Sequence, residues 1–124
     1  MPRAKLETLP KRADFLRAAA KGRKSARPGF VVQVLATGPG LPVRLGLTAS
    51  RKVGNAVHRN RARRRLRAAA RLELAARDIT GVDIVMIARK DSGSVDFARM
   101  RADLAAILDR QIPGRPETAA ESAP

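Results

Sequence analysis

The sequence predicts an α+β domain in which helices pack on a small mixed sheet, and three observations support this fold class. Two segments have the composition or alternation of β-strands, a third is almost continuously apolar, and three further segments have helical spacing. Their order along the chain is helix, strand, strand, helix, strand, helix. The 124 residues fit a single domain. We expect this domain to span residues 11–112, between a flexible basic arm over residues 1–10 and a disordered tail over residues 113–124.

The first helix is predicted over residues 11–20, where Ala, Leu and Arg predominate. Phe15, Leu16 and Ala19 share one side of this helix. Residues 21–29 contain two glycines, a proline and four cationic side chains. This composition predicts a loop.

Three strands are expected. Residues 30–37 are rich in β-branched side chains and precede a Gly-Pro-Gly turn signal. Residues 43–50 alternate between apolar and other side chains, as in a strand with one buried face, and we expect the two segments to form an antiparallel hairpin. Residues 82–88 are apolar except for Asp83, which predicts a central strand, covered on both faces and parallel to a neighbour.

The longest predicted helix covers residues 55–77, a stretch without Gly or Pro. Its predicted seam against the sheet comprises Ala62, Leu66, Ala69, Ala70, Glu73 and Leu74. A final helix follows Ser94 or Asp96, either of which can cap it. Its apolar stripe comprises Phe97, Met100, Leu104, Ile107 and Leu108. We expect Pro113 to end this helix.

The chain is strongly basic, with 26 Lys and Arg against 11 Asp and Glu and a net charge of +15. This charge favours a polyanionic partner, above all nucleic acid, and a membrane surface is the alternative. The absence of cysteine excludes disulfides and Cys-based metal sites. Because the first thirty residues contain no long apolar run, we expect a cytoplasmic protein without a secretory signal or a membrane span.

Arginines are most concentrated in residues 59–67 of the longest predicted helix. They spread around the helix, which suits contact with folded RNA from several sides better than a flat membrane surface. A solvated basic face is the other interpretation. However, residues 51–71 contain no Asp or Glu for the i,i+4 ion pairs of an ordinary charged helix, and this favours contact with phosphates. Before the helix, Gly54 permits either a tight turn or phosphate contact, and Asn55 is a candidate N-cap.

The stretch Arg-Leu-Gly-Leu-Thr-Ala-Ser-Arg-Lys-Val-Gly-Asn-Ala-Val-His-Arg-Asn-Arg at residues 44–61, continuing through residue 67, closely resembles the bacterial ribonuclease P protein family. The Arg-Asn-Arg element at residues 59–61 and the Ile-Ala-Arg-Lys element at residues 87–90 both match the family. The resemblance covers roughly residues 11–110. It also implies a left-handed crossover between parallel strands, although general sterics favour the right-handed form.

The resemblance implies the protein subunit of a ribonucleoprotein endoribonuclease that matures the 5′ ends of tRNA. Its partners would be the catalytic RNA and precursor tRNA, without a membrane or a small-molecule substrate. The RNA and its bound Mg ions would perform the hydrolysis, so neither a metal ion held by the protein alone nor a catalytic residue is expected in this chain.

The resemblance also assigns the binding residues. The residues expected to contact the catalytic RNA are Arg51, Asn55, Arg59, Asn60, Arg61, Arg63, Arg64, Arg65 and Arg67. Contact with the single-stranded 5′ leader of precursor tRNA falls to Phe15, Phe30, Ser50 and Lys52. Family members often carry further aromatic residues in the leader cleft, where this chain has Ala19 and Gln33. Phe15 and Phe30 can also be plain core residues, because rings in small domains are usually buried.

Two rival functions share some of these features. An independent nuclease would need a base, and the candidate is the lone His58, but no carboxylate cluster accompanies it in the arginine-rich segment. A ribosomal or architectural RNA-binding protein has similar size and charge. The ordered strand, turn and helix of residues 44–67 favour the ribonuclease P family over this second rival.

Overall fold

The sheet is built around its most apolar strand, which is buried over almost its whole length. The computed structural model describes residues 7–9 and 11–112. In chain order they form β1 (Glu7–Thr8), α1 (Arg12–Lys21), β2 (Arg23–Arg27), β3 (Phe30–Ala36), β4 (Arg44–Thr48), a 3-10 helix (Arg51–Val53), α2 (Ala56–Ala75), β5 (Val82–Ala88) and α3 (Phe97–Gln111). The strands form one sheet in the order β1-β4-β5-β3-β2. The predicted α+β class is therefore confirmed.

Strand β5 runs parallel to β4 and antiparallel to β3, which confirms the central position predicted for residues 82–88. The predicted hairpin of residues 30–37 with residues 43–50 is wrong, because β5 lies between β3 and β4. The physical reason is that β5 is buried on both faces and needs a hydrogen-bonded neighbour on each edge. Helix α2 connects β4 to β5 as a crossover, whose left-handedness stays a prediction.

The predicted loop of residues 21–29 is instead mostly strand. Strand β2 pairs antiparallel with β3, and the two are joined by a turn at Pro28 and Gly29. Gly29 has φ of 90°, the conformation that glycine adopts after proline in a tight turn. The Lys and Arg side chains of β2 are compatible with a strand because β2 lies at the sheet edge, where cationic residues deter pairing with other chains.

Part of the predicted flexible arm belongs to the sheet. Strand β1 pairs parallel with β4, and Leu9 is buried, with its backbone N–H donating to the carbonyl of Leu45 at 3.1 Å. The burial of Leu9 explains why the chain is held here. Residues 1–6 and 10, and the predicted tail over residues 113–124, lie outside the described residues.

Helices α2 and α3 cover one face of the sheet, and α1 covers the other. The predicted α2 seam is buried, and all of its members except Glu73 belong to the larger core on the first face. Met100, Leu104, Ile107 and Leu108 of the predicted α3 stripe are buried there as well. A smaller core on the second face comprises Leu9, Ala18 and Val85, with Phe15 and Ile87 packed against it.

An ion cluster determines which side of α1 faces the sheet. Asp14 and Ala18 are the buried positions of α1, Phe15 is half-buried, and Leu16 and Ala19 are exposed. Asp14 Oδ1 lies 3.3 Å from Arg44 Nη2. This attraction turns the acidic side of α1, rather than its Leu16 side, towards the sheet.

The same arginine satisfies a carboxylate inside the sheet. Arg44 Nε and Nη2 donate to Asp83 at 2.8 and 2.7 Å, and Asp83 is fully buried. The hydrogen bond and charge of Asp83 raise the pKa of Arg44 above its ordinary value. The bidentate pair explains how β5 accommodates an acidic residue, and its link to Asp14 fixes α1 against β4 and β5.

Candidate nucleic-acid interface

The arginine-rich helix begins at a tightly defined turn. Gly54 has φ of 139°, in the region that disfavours other residues, and a Cβ atom there would lie 3.0 Å from His58 Cβ. Asn55 caps α2, because its Oδ1 accepts from the backbone N–H of His58 at 3.1 Å and lies 2.8 Å from His58 Nδ1. Ser50 Oγ similarly accepts from Lys52 N at the 3-10 helix. Ser50 and Asn55, both predicted to contact RNA, therefore also cap the N-termini of the 3-10 helix and α2.

The first half of α2, residues 56–67, presents a cationic surface, which we call the cationic half. Within the described part of the chain, the side chains of Arg59, Arg64 and Arg67 make no hydrogen bond or ion pair. Arg64 and Arg67 are exposed. Arg51 and Lys52 are exposed just before the helix. These guanidinium and ammonium groups are available to phosphates.

Three other arginines of this half have partners. Arg63 Nη1 donates to Asn60 Oδ1 at 3.1 Å, and Arg61 Nε donates to the carbonyl of Gly93 at 3.4 Å. Arg65 is half-buried and donates to two carbonyls of the loop after β5. Among the described residues, the predicted contacts thus include arginines without a bonded partner and arginines that the protein itself binds.

The one acidic residue of α2, Glu73, lies near its other end. Arg77 donates to Glu73 and Asp109, each at 3.0 Å, and Arg101 Nε lies 2.7 Å from Glu73 Oε2. Burial alone would lower the pKa of Arg77, but the bonds to Asp109 and Glu73 raise it overall. This network joins α2 to α3 and leaves the cationic half of α2 without acidic neighbours on its own helix.

A groove follows β4, between α1 and the arginines of α2. Its volume is about 500 Å³, and we call it the β4 groove. Phe15, Val43 and Gly46 contribute to its apolar lining, while Arg63 and Arg67 contribute to its cationic lining. An unpaired nucleotide needs this combination, since its base is apolar on both faces and its phosphate is anionic.

The two predicted leader-binding rings have different environments. Phe15 is half-buried and lines the β4 groove. Phe30 is fully buried in the larger core, so its assignment to the leader is wrong. The reason is strand alternation: Phe30 points with Val32 and Val34 towards α2 and α3, on the opposite face of the sheet from Phe15.

A second cationic group was missed as a site by the sequence analysis. Strands β4 and β5 are parallel, with Thr48 opposite Ile87, so the residues that follow both strands lie at the same end of the sheet. This end carries exposed Lys52 after β4, and exposed Arg89 and Lys90 after β5. The available signal was a pair of cations directly after the most apolar strand.

The described residues include no group of three or more His, Asp or Glu side chains placed to hold a metal ion. Among the helices of residues 11–112, none combines the length and apolar character needed to cross a bilayer.

Comparison with known proteins gives a consistent result. A family model described as Ribonuclease P matches residues 3–111. The chain is 47% identical to the ribonuclease P protein component of Gluconacetobacter diazotrophicus, over 77% of this chain and 83% of that protein. It is also 47% identical to the protein component of Paramagnetospirillum magneticum, over 86% and 84%.

Two solved structures are similar to the whole domain. The RNase P protein from Thermotoga maritima superposes with a TM-score of 0.71 at 35% identity, covering 87% of this chain and 99% of that one. The Staphylococcus aureus RNase P protein gives a TM-score of 0.70 at 30% identity, covering 86% and 95%.

Proposed function

The chain belongs to the ribonuclease P protein family, and we propose that its two cationic regions hold two different RNAs. The holoenzyme of this family is a ribonucleoprotein endoribonuclease that matures the 5′ ends of tRNA. Family membership makes ribonuclease P RNA a partner of this chain. Precursor tRNA is the second partner that we propose.

The cationic half of α2 is the proposed contact with ribonuclease P RNA. The observation that carries this assignment is that Arg59, Arg64 and Arg67 extend from a helix whose seam is buried, without acidic partners among the described residues. Arg51 and Arg61 extend the same surface, while Arg63 is held by Asn60. Such guanidinium groups suit the phosphates of a folded RNA.

The β4 groove and the adjacent end of the sheet are the proposed path of the 5′ leader. Phe15 provides a ring for stacking on an unpaired base, and Lys52 provides a charge for a phosphate. We add Arg89 and Lys90 to this surface because they are exposed at the same sheet end as Lys52. Ser50 can donate its hydroxyl proton to the leader while its oxygen caps the 3-10 helix.

The remaining assignments follow from the family resemblance. We assign the hydrolysis and its magnesium ions to the RNA, with the protein supporting RNA folding and substrate binding. We also propose a cytoplasmic location and a single RNA-binding domain over residues 11–112. That residues 1–6 are flexible and that residues 113–124 form a disordered tail stay predictions.

Reconstitution tests this function directly. Ribonuclease P RNA mixed with the full chain should cleave precursor tRNA at its 5′ maturation site faster than the RNA alone does. The protein alone should be inert, and a His58→Ala variant should reconstitute normally. Sustained cleavage by RNA-free protein that His58→Ala abolishes would support the independent nuclease instead, whereas purification with ribosomal RNA alone would support the architectural protein.

A further inference from the structure

Arg65 differs from its neighbours on α2 in where its guanidinium group is bound. Its Nη1 donates to the carbonyl of Ser92 at 2.7 Å, and its Nη2 donates to the carbonyl of Val95. Its Cζ lies 5.9 Å from the centre of the Phe97 ring. Arg61 reaches the same loop at Gly93. The loop of residues 91–95, which we call the 91–95 loop, is therefore attached to α2 through arginine side chains.

The 91–95 loop is in turn attached to the cations at the end of β5. Ser92 is fully buried, and its Oγ accepts from the backbone N–H of Arg89 at 2.8 Å while donating to the carbonyl of Gly29. The backbone of Arg89 also donates to Gly29 at 3.3 Å. Movement of Ser92 would consequently disturb the backbone that carries Arg89 and Lys90.

We propose that Arg65 is a positioning residue, which acts on RNA through Arg89 and Lys90 by fixing the 91–95 loop, and that it is not itself a phosphate ligand. The inference rests on the proposed role of Arg89 and Lys90 in RNA binding. It separates Arg65 from Arg64, which precedes it in the sequence but is exposed and without a partner in the described chain.

The geometry requires an arginine. Two carbonyls are bound by two nitrogens of one planar group, an arrangement that the single ammonium of lysine cannot reproduce. Binding a phosphate would require the half-buried guanidinium to release carbonyls that have no other donor from α2. Lysine at position 65 therefore keeps the charge but loses the attachment, which makes charge and positioning experimentally separable.

The test measures the affinity of the complete ribonucleoprotein for precursor tRNA with a 5′ leader, using Arg65→Lys and Arg65→Ala. The matched controls are Arg110→Lys and Arg110→Ala, at an exposed arginine of α3. We expect Arg65→Lys and Arg65→Ala to weaken binding by a similar factor, about fivefold or more, and both Arg110 variants to stay within about twofold of the original. Amide hydrogen exchange of residues 92–97 should accelerate in both Arg65 variants and in neither Arg110 variant.

A thermodynamic cycle then identifies the route of the effect. In an Arg89→Ala plus Lys90→Ala background, Arg65→Ala should cost less than about twofold further affinity, because the groups through which Arg65 acts are already absent. Full retention of affinity by Arg65→Lys, or a multiplicative loss from Arg65→Ala in that background, would overturn the positioning role. If the Arg89→Ala plus Lys90→Ala variant itself binds leader-bearing precursor tRNA normally, the proposed RNA-binding role of Arg89 and Lys90 fails.

Discussion

The ring of Phe15 lies over Gly46, so closely that a Cβ atom on Gly46 would stand 2.5 Å from Phe15 Cε1 and 2.8 Å from Leu9 Cδ1. This contact brings α1 against β4 and sets the position of the ring in the β4 groove. We predict that Gly46→Ala displaces Phe15 and lowers the affinity of the holoenzyme for precursor tRNA with a 5′ leader. Gly38→Ala is the control, because its Cβ would meet only the flexible side chain of Leu41. Equal affinities for the two variants would contradict the role of this contact.

Phe15 and Phe30 should respond differently to the same substitution. Stacking of a ring on an unpaired base contributes about 1–3 kcal/mol, so Phe15→Leu should weaken binding of leader-bearing substrate and leave binding of mature tRNA unchanged. Phe30→Leu should instead lower the free energy of unfolding, by about 1 kcal/mol or more, without leader selectivity. Binding titrations with the two substrates and urea unfolding check this pair. A loss of equal size for both substrates in Phe15→Leu would make Phe15 merely structural.

Arg44 should be essential for stability. Its removal leaves the fully buried Asp83 carboxylate without its bidentate partner, and breaking a buried pair typically costs about 3–5 kcal/mol. We expect Arg44→Met to lower the free energy of unfolding by this amount in urea titrations. Arg44→Met combined with Asp83→Asn should recover part of the loss, because the buried charge is then absent. If Arg44→Met alone is as stable as the original protein, the ion cluster of Arg44, Asp14 and Asp83 does not hold α1, β4 and β5 together.

Asn55 was predicted to contact RNA, and the structure places it as the cap of α2. Losing an N-cap costs about 1 kcal/mol, so Asn55→Ala should lower the free energy of unfolding by that amount. Asn55→Asp, which keeps the accepting oxygen, should retain the stability. If Asn55→Ala unfolds like the original protein but binds ribonuclease P RNA more weakly, Asn55 is an RNA ligand and its capping bond contributes little.

Local patterns sufficed for much of the fold. The spacing of Ala62 to Leu74 identified the buried seam of α2, and the run of residues 82–88 identified the central strand. Neither observation could reveal that β5 separates β3 from β4, because strand order depends on contacts between residues far apart in the chain. Strand β2 was missed since cations and glycines outweigh strand propensity in a short sequence, although an edge strand accommodates both.

The candidate site shows the same division. The arginine cluster was visible in the sequence because it depends on composition, but the separate environments of Arg64 and Arg65 depend on where the 91–95 loop packs. Likewise, β3 carries apolar residues on both faces, so its sequence did not determine which face of the sheet Phe30 occupies. The side of α1 that meets the sheet was determined by Asp14 and its distant partner Arg44, which hydrophobic spacing does not register.

The salt dependence of binding to ribonuclease P RNA tests the central claim most directly, namely that the cationic half of α2 contacts this RNA. Each neutralised phosphate contributes about 0.7–0.9 to the slope of log affinity against log salt. Arg64→Ala plus Arg67→Ala should weaken binding and flatten the slope by roughly 1.5. The matched control, Arg99→Ala plus Arg110→Ala on α3, removes the same charge from exposed arginines and should leave the slope unchanged. An unaltered affinity and slope in the α2 variant, or an equal change in both variants, would contradict the assignment.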